Sequence, residues 1–295
     1  MSGRQKTLAA PAHRGRSAGG ELWHRFKKNK GAMLGLLILI VLIGVALTVD
    51  FWLDQELVIG QNLREKLQQP NAKHWFGTDE MGRDLFWRTV YGTRFSMAIG
   101  FVAVIISAII GVPLGAVAGY YGGKLETLIM RFTDIFSAIP SILMAIAIVS
   151  LLGRNTVNLM LAVGIAAVPQ FTRVTRAAVL TVKNAEFVEA ARALGKTDAY
   201  IIFVHILPNC LSPIIVQVTL RVAGAIISAS SLSFLGIGIK PPTPEWGSLL
   251  TAGKTYIMGH SYLCLFPGLA IMLTVLAFNM VGDGLRDAMD PRLKD

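Results

Sequence analysis

Six separate apolar stretches, each close to the length a helix needs to cross a lipid bilayer, decide what this chain can become. Crossing hydrocarbon takes about 20 mostly apolar helical residues, because lipid offers a backbone amide no partner and each must be satisfied within its own segment. The stretches are 32–49, 96–120, 135–152, 157–171, 213–237 and 263–282. The fourth is the weakest, since Pro169 and Gln170 interrupt its end. Only 16% of residues are charged, against about 25% in soluble domains, so the chain lacks the charge to coat a water-facing surface. The sequence predicts an all-α membrane protein with six transmembrane helices.

Orientation follows from the cations. With the N-terminus inside, the inner segments hold 18 of the 28 Lys and Arg and the outer segments 9, with Arg221 left inside the fifth stretch. That bias places both termini in the cytoplasm. The first stretch reads as a retained anchor rather than a cleaved signal, because about 30 residues precede it and no small-x-small site follows. The organisation expected is a basic tail with a short amphipathic helix over 1–30, a first transmembrane helix over 31–50 and an extracytoplasmic loop over 51–95. A five-helix core over 96–285 and a cytoplasmic tail over 286–295 follow. The net charge of +10 sits in short basic segments beside apolar runs, a membrane pattern and not a nucleic-acid surface. Cys210 and Cys264 fall near opposite faces, too far apart to bridge.

Ion-driven transporters keep carboxylates buried between helices. Here every Asp and Glu is expected in a loop or near a helix end, with Asp134 and Asp283 the closest exceptions, so ion-coupled transport is disfavoured. The five histidines are scattered, with no HExxH spacing and no cysteine pair at zinc-ligand spacing, so no catalytic residue, metal site or cofactor is expected. No GxxxxGK[ST] string is present. Energy for uphill transport must then enter from a partner.

The longest inner connection, 172–211, offers a place to receive it. Phe187, Ala190, Ala191 and Leu194 recur at helical spacing, so a short helix should show one small, apolar face, stop at Gly195 and restart before Pro208. Such shallow relief suits a helix lying in another protein's groove; a helix bracing its own loop is the alternative. Glu189-Ala190-Ala191, three residues, Gly195, then Leu207-Pro208 resembles the EAA loop of permease subunits of ABC importers that use a solute-binding protein. His205 departs from the general pattern, which favours isoleucine there. The resemblance implies that Glu189, Ala190, Ala191, Gly195, Leu207 and Pro208 couple the chain to an ATPase.

Further strings narrow the resemblance. FGTDEMGRD at 76–84, followed by Gly92, Arg94 and Ser96, is similar to a signature of the dipeptide, oligopeptide and nickel permease group, as are PPTPEWG at 241–247 and the ending GDGLRDAMDPRLKD. Within the first string, Thr78 or Asp79 is a candidate helix cap, and Arg83 can pair with Asp79 or Asp84. Asp79, Arg83, Asp84 and Trp246 are candidates for contact with a binding protein or partner permease, a structural cap being the equal alternative. Trp246 is expected at the headgroup layer. Gly111, Gly115 and Gly119 repeat every four residues and should pack against a neighbouring span, with Pro113 bending the same helix. Arg221, Gly224, Ser228 and Ser231 share one face of the fifth stretch. Arg221, Ser228 and Ser231 are thus candidates for a translocation path. Arg221 then either meets a passing peptide's carboxylate or snorkels to the inner surface, and the serines either face the path or bond carbonyls one turn back.

The resemblance implies a type I ABC importer permease architecture in a bacterial inner membrane. Its partners would be a homologous second permease, two cytoplasmic ATPases, an extracytoplasmic solute-binding protein, membrane lipid and a peptide substrate, with no nucleic acid. Nickel or another small solute is the alternative cargo, and a non-transporting scaffold or sensor the alternative of another class.

Overall fold

A computed structural model describes residues 18–290; residues 1–17 of the segment expected as basic tail and short helix over 1–30, and the last residues, 291–295, lie outside them. The elements run α1 (Ala18–Lys28), α2 (Lys30–Trp52), α3 (Gln55–Ile59), a 3₁₀ turn at Leu63–Glu65, α4 (Leu85–Tyr121), α5 (Gly123–Ala138), α6 (Ser141–Leu152) and α7 (Thr156–Val182). There follow α8 (Glu186–Ala193), α9 (Asp198–Tyr200), a π-helical turn at Ile201–Ile206, α10 (Leu207–Asn209), α11 (Leu211–Phe234), α12 (Trp246–Lys254) and α13 (Tyr262–Met289). Among the described residues the extended pairing is limited to one isolated bridge, Thr78 to Asp84.

Among the described residues five helices, α2, α4, α7, α11 and α13, are long and apolar enough to cross a membrane, and the α5–α6 pair makes a sixth if its bent halves count as one span. The expected continuous third span over 135–152 is therefore corrected. Pro140 disfavours helical backbone at the residue before it, and Ile139 is extended at φ −87°, ψ 125°. The chain turns by 87° between α5 and α6.

The fourth span is corrected too. Pro169 lies inside α7, which runs on to Val182. A helix-interior proline forfeits one hydrogen bond, yet Phe171, Thr172, Thr175 and Val179 beyond it are all buried. What buries them is the glycine stripe of α4: a Cβ on Gly111 would fall 2.6 Å from that of Phe171, and one on Gly119 2.8 Å from that of Val179. Backbones that approach this closely gain packing and lose nothing to lipid. The stripe thus does what its spacing predicts. Pro113 also sits inside an unbroken α4. We expect Gly115→Val, whose Cβ would meet that of Thr175 at 2.8 Å, to cost about 1–3 kcal/mol by overpacking. A drop in detergent melting temperature would register it, with Gly44→Val as the silent control because nothing lies within 4 Å of Gly44.

The bundle has two ends. At the proximal end, Asn29 Nδ2 donates to Asp287 Oδ2 at 3.5 Å and Phe26, buried on α1, lies beside Gly284. Both described termini therefore share one end. The same end carries α8 and a small core of its own, in which Tyr120, Val179, Val188, Ala191, Ile201, Ile206 and Cys210 are buried together. At the distal end, the loop after α3 and α12 close over the starts of α4 and α13. There Phe76 stacks on Phe266 at 3.8 Å and the Tyr262 hydroxyl donates to the Thr78 carbonyl at 2.9 Å. Buried Cys210 lies at the proximal end and Cys264, near the start of α13, at the distal end, both free thiols.

Candidate functional site

The proximal elbow is built around α8. Its N-cap, Ala185, supplies no side-chain hydrogen bond, but Glu186 and Glu189 sit in the first turn and Arg192 in the last, charges that suit the helix dipole. Val188 and Ala191 face the core, each nearly or wholly excluded from solvent. Burying the valine side chain alone is worth about 1.5–3 kcal/mol. Phe187, Ala190 and Leu194 are exposed on the other side. The face read from the sequence is thus divided: Ala191 holds the elbow down, while Phe187, Ala190 and Leu194, 77% exposed, look outward. Among the described residues Glu189 has no ion pair or side-chain hydrogen bond, and it stands beside that outward face.

Gly195 ends α8 at φ +69°. Its amide donates to the Arg192 carbonyl at 2.9 Å and the Lys196 amide to the Ala191 carbonyl at 3.1 Å. This reciprocal pair closes the helix and needs a residue that tolerates left-handed backbone. Past the turn, Thr197 caps α9, and the π-helical turn buries Ile201, Ile202 and Ile206 before Leu207 and exposed Pro208 lead into α11. The expected connection over 172–211 shrinks accordingly, because 172–182 belongs to α7.

Three neighbours fix the elbow. Tyr120, at the end of α4, donates its hydroxyl to Asp198 Oδ1 at 2.7 Å and accepts from Arg192 Nε at 3.3 Å. The Arg192 guanidinium also lies 5.1 Å from the tyrosine ring centroid. Tyr120 thereby joins α4, α8 and α9 through one side chain that sequence reading passed over. On α7, Arg176 pairs with Glu126 and Arg173 with Asp134 at 2.9 Å, so α5 is strapped to the helix that leads into α8. Asp134, expected at the edge of a span, lies inside α5. We expect Tyr120→Phe to speed amide exchange across 186–198 about fivefold, the equivalent of about 1 kcal/mol for the lost hydrogen bonds; unchanged exchange would contradict the bracket.

The distal motif folds inward. Asp84, not Thr78 or Asp79, caps α4, accepting from the Phe86 and Trp87 amides at 2.8 and 3.3 Å, and it also meets His74 Nδ1 at 2.7 Å. Thr78 is buried and accepts from the Gln68 amide at 2.9 Å. Asp79 is buried against Arg83 Nε at 2.7 Å, with Arg88 Nε at 3.5 Å. Trp246 is corrected: it is wholly buried, its indole donating to the Thr89 carbonyl at 2.9 Å and its amide to Ser96 Oγ at 3.2 Å. Glu245 caps α12 from a buried position, accepting from the Gly247 and Ser248 amides at 2.8 and 2.9 Å. Burial pushes its carboxyl above the usual range, against the pull of those amides. These side chains shape the distal cap and leave little of themselves for a partner to touch.

Midway along the bundle, α4, α6, α7 and α11 line a half-open cavity of about 110 Å³, bordered by Ser141, Gln170, Arg221, Gly224 and Ser228 among alanines and valines. Arg221 lies ten residues into α11, about 15 Å along it at 1.5 Å per residue. Ser231 does not line the cavity; its hydroxyl donates to the Ile227 carbonyl one turn back at 2.8 Å. Gln170, read as a helix breaker, is instead a wall of this cavity.

Residues 111–295 match the family described as binding-protein-dependent transport system inner membrane component. The chain belongs to this family of inner-membrane permeases. Residues 17–70 of the permease also match the N-terminal TM domain of oligopeptide transport permease C. The permease is 48% identical over 274 residues to the dipeptide transport system permease protein DppC of Alkalihalophilus pseudofirmus, covering 93% of this chain and 90% of that one. It is 43% identical over 282 residues to the di/tripeptide transport system permease protein DppC of Pseudomonas aeruginosa, covering 93% and 92%. It is 44% identical over 274 residues to the glutathione transport system permease protein GsiD of Escherichia coli, covering 93% and 90%. Its fold is that of a chain of the MetNI methionine ABC transporter, with a TM-score of 0.59 at 20% identity over 70% of this chain and 98% of that one.

Proposed function

We propose that this permease subunit imports di- or oligopeptides, with both termini and α8 in the cytoplasm and energy supplied by ATP hydrolysed on separate subunits. The carrying observation is the outward face of α8. Phe187, Ala190 and Leu194 stand exposed on a helix whose opposite face and closing turn are locked to α4, α7 and α11. An ATPase that grips this face moves α7 and α11 with it, because Val188 and Ala191 are packed into the same core as Val179 and Ile214. Glu189 and Ala190 make the contact and Gly195 sets the angle of that face through its turn, while Ala191 and Leu207 seat the elbow and Pro208 leads back into the bilayer.

The assembly is this chain with a homologous second permease, two ATPases and an extracytoplasmic binding protein above the distal cap. Asp79, Arg83, Asp84 and Trp246 act there by holding the shape of the cap. Arg221 and Ser228 stand on the path between the permeases, Ser231 at its margin. Peptide cargo is supported by relatives named for dipeptides, di/tripeptides and glutathione; nickel is the alternative cargo. The test is labelled dipeptide uptake by proteoliposomes holding the whole transporter, with ATP inside and the binding protein outside. ATP-dependent dipeptide accumulation that disappears without this chain supports the reading; accumulation of nickel and not of dipeptide would replace it.

A further inference from the structure

Arg221 is a cation in the middle of an apolar bundle, and among the described residues it has no ion pair and no hydrogen bond. Its Nε is buried without a partner, and so is Gln170 Oε1 on α7. Both residues line the same cavity between α4, α6, α7 and α11. A buried donor or acceptor left unmade costs about 1–3 kcal/mol, more when charged, so two orphans facing one space mark a place that a ligand completes. A third feature converges there. α6 starts in mid-bundle at the 87° bend, its first residue, Ser141, lines the cavity, and no side chain caps its N-terminus. The free amides of a first helical turn favour an anion, and broken helices that aim such ends at anionic groups are a recurring device in transporters.

We propose that this cavity is a binding station for the C-terminal end of a peptide, with the peptide's carboxylate on Arg221 and the start of α6, and the adjoining peptide N–H on Gln170. The two orphans divide the chemistry. A guanidinium takes a carboxylate through paired N–H donors, and Gln170 Oε1 is an acceptor that wants an N–H. In a peptide's last residue those two groups are separated by a single Cα, so neighbouring residues of the wall can hold both. Ser228, on the same face of α11 as Arg221, adds a hydroxyl. The cavity, about 110 Å³ and open on one side, admits one such end group with the rest of the peptide outside it. Arg221 stands about 15 Å along α11, and no counter-ion among the described residues answers it.

This inference rests on the importer reading for its cargo, but its charge preference is measured without transport. The whole transporter is prepared with Ser228→Cys in a background of Cys210→Ser and Cys264→Ser, and labelled in proteoliposomes with two small thiosulfonates, one carrying a sulfonate and one a trimethylammonium group. We expect the sulfonate reagent to react about tenfold faster, as an unpaired cation about two turns, ~10 Å, along the same face of α11 favours. Arg221→Gln should remove that preference and Arg221→Lys should keep it. Ala-Ala should protect the thiol, and Ala-Ala amide should protect it at least tenfold less well. Equal rates, faster reaction of the cationic reagent, no reaction with either, or a preference that survives Arg221→Gln would each overturn the station. Equal protection by the dipeptide and its amide would overturn the carboxylate assignment. Failure of the unsubstituted transporter to take up dipeptide, with the labelling preference intact, would instead refute the importer reading.

Discussion

Asp79→Ala should lower the stability of the chain by about 3–5 kcal/mol, the penalty for removing one partner of a buried charge network. Asp79 is 4% exposed and carries four contacts: Arg83 Nε at 2.7 Å, the Met81 and Arg83 amides at 2.9 and 3.0 Å, and Arg88 Nε at 3.5 Å. Arg88, equally buried, is held from its other end by the Val58 carbonyl at 2.8 Å. Without the carboxylate two buried guanidinia keep only Glu80, 3.5 Å from Arg83, and the Val58 and Pro242 carbonyls on Arg88, and the loop that carries Thr78 onto Tyr262 loses its frame. Melting of the purified chain in detergent measures the loss, and Asp79→Asn, which keeps the shape and one acceptor, should fall between. Unchanged melting accompanied by lost uptake would show that Asp79 serves a partner and not the cap.

Gly195→Val should reduce ATP-driven uptake by at least tenfold while the chain still inserts and folds. The expectation comes from backbone and not from crowding: nothing lies within 4 Å of a Cβ built on Gly195, yet φ is +69°. A β-branched residue in left-handed backbone costs about 1–2 kcal/mol, enough to open the turn that fixes Lys196 to Ala191. The outward face of α8 then loses its set angle. Asparagine tolerates this conformation, so Gly195→Asn should keep most of the uptake and Gly195→Ala should stand between. Loss that instead follows side-chain volume, with asparagine worse than alanine, would assign the glycine to a close contact with the partner.

Much of this was legible in the sequence, and the failures share a cause. The spans, the glycine stripe and the stop at Gly195 are local: each follows from spacing on one helix and the lipid or neighbour it must meet. What sequence reading missed depends on contacts between distant segments. Pro169 looked like an end because α7 alone gives no reason to continue, whereas the glycines of α4 bury Phe171 to Val179 and carry the helix on. The third span looked continuous because composition does not register the turn that Pro140 imposes at Ile139. Trp246 looked interfacial because tryptophan often is, and its burial shows only in contacts with distant residues, the Thr89 carbonyl and Ser96 Oγ, 157 and 150 residues away in the chain. Arg221 was legible as an anomaly, but Gln170 as its companion was not, since one polar residue beside a proline reads as a break until the helix around it is seen to persist.

On the proposed function α8 is a cytoplasmic handle gripped by a separate ATPase. The direct measurement is labelling of Lys196→Cys, an exposed position beside Gly195, with a membrane-impermeant maleimide in intact cells and in inverted vesicles, on a background of Cys210→Ser and Cys264→Ser. We expect labelling only in inverted vesicles, and strong protection when the ATPase subunits are assembled on the membrane. Labelling in intact cells, or labelling in vesicles that is the same with and without the ATPase, would contradict it.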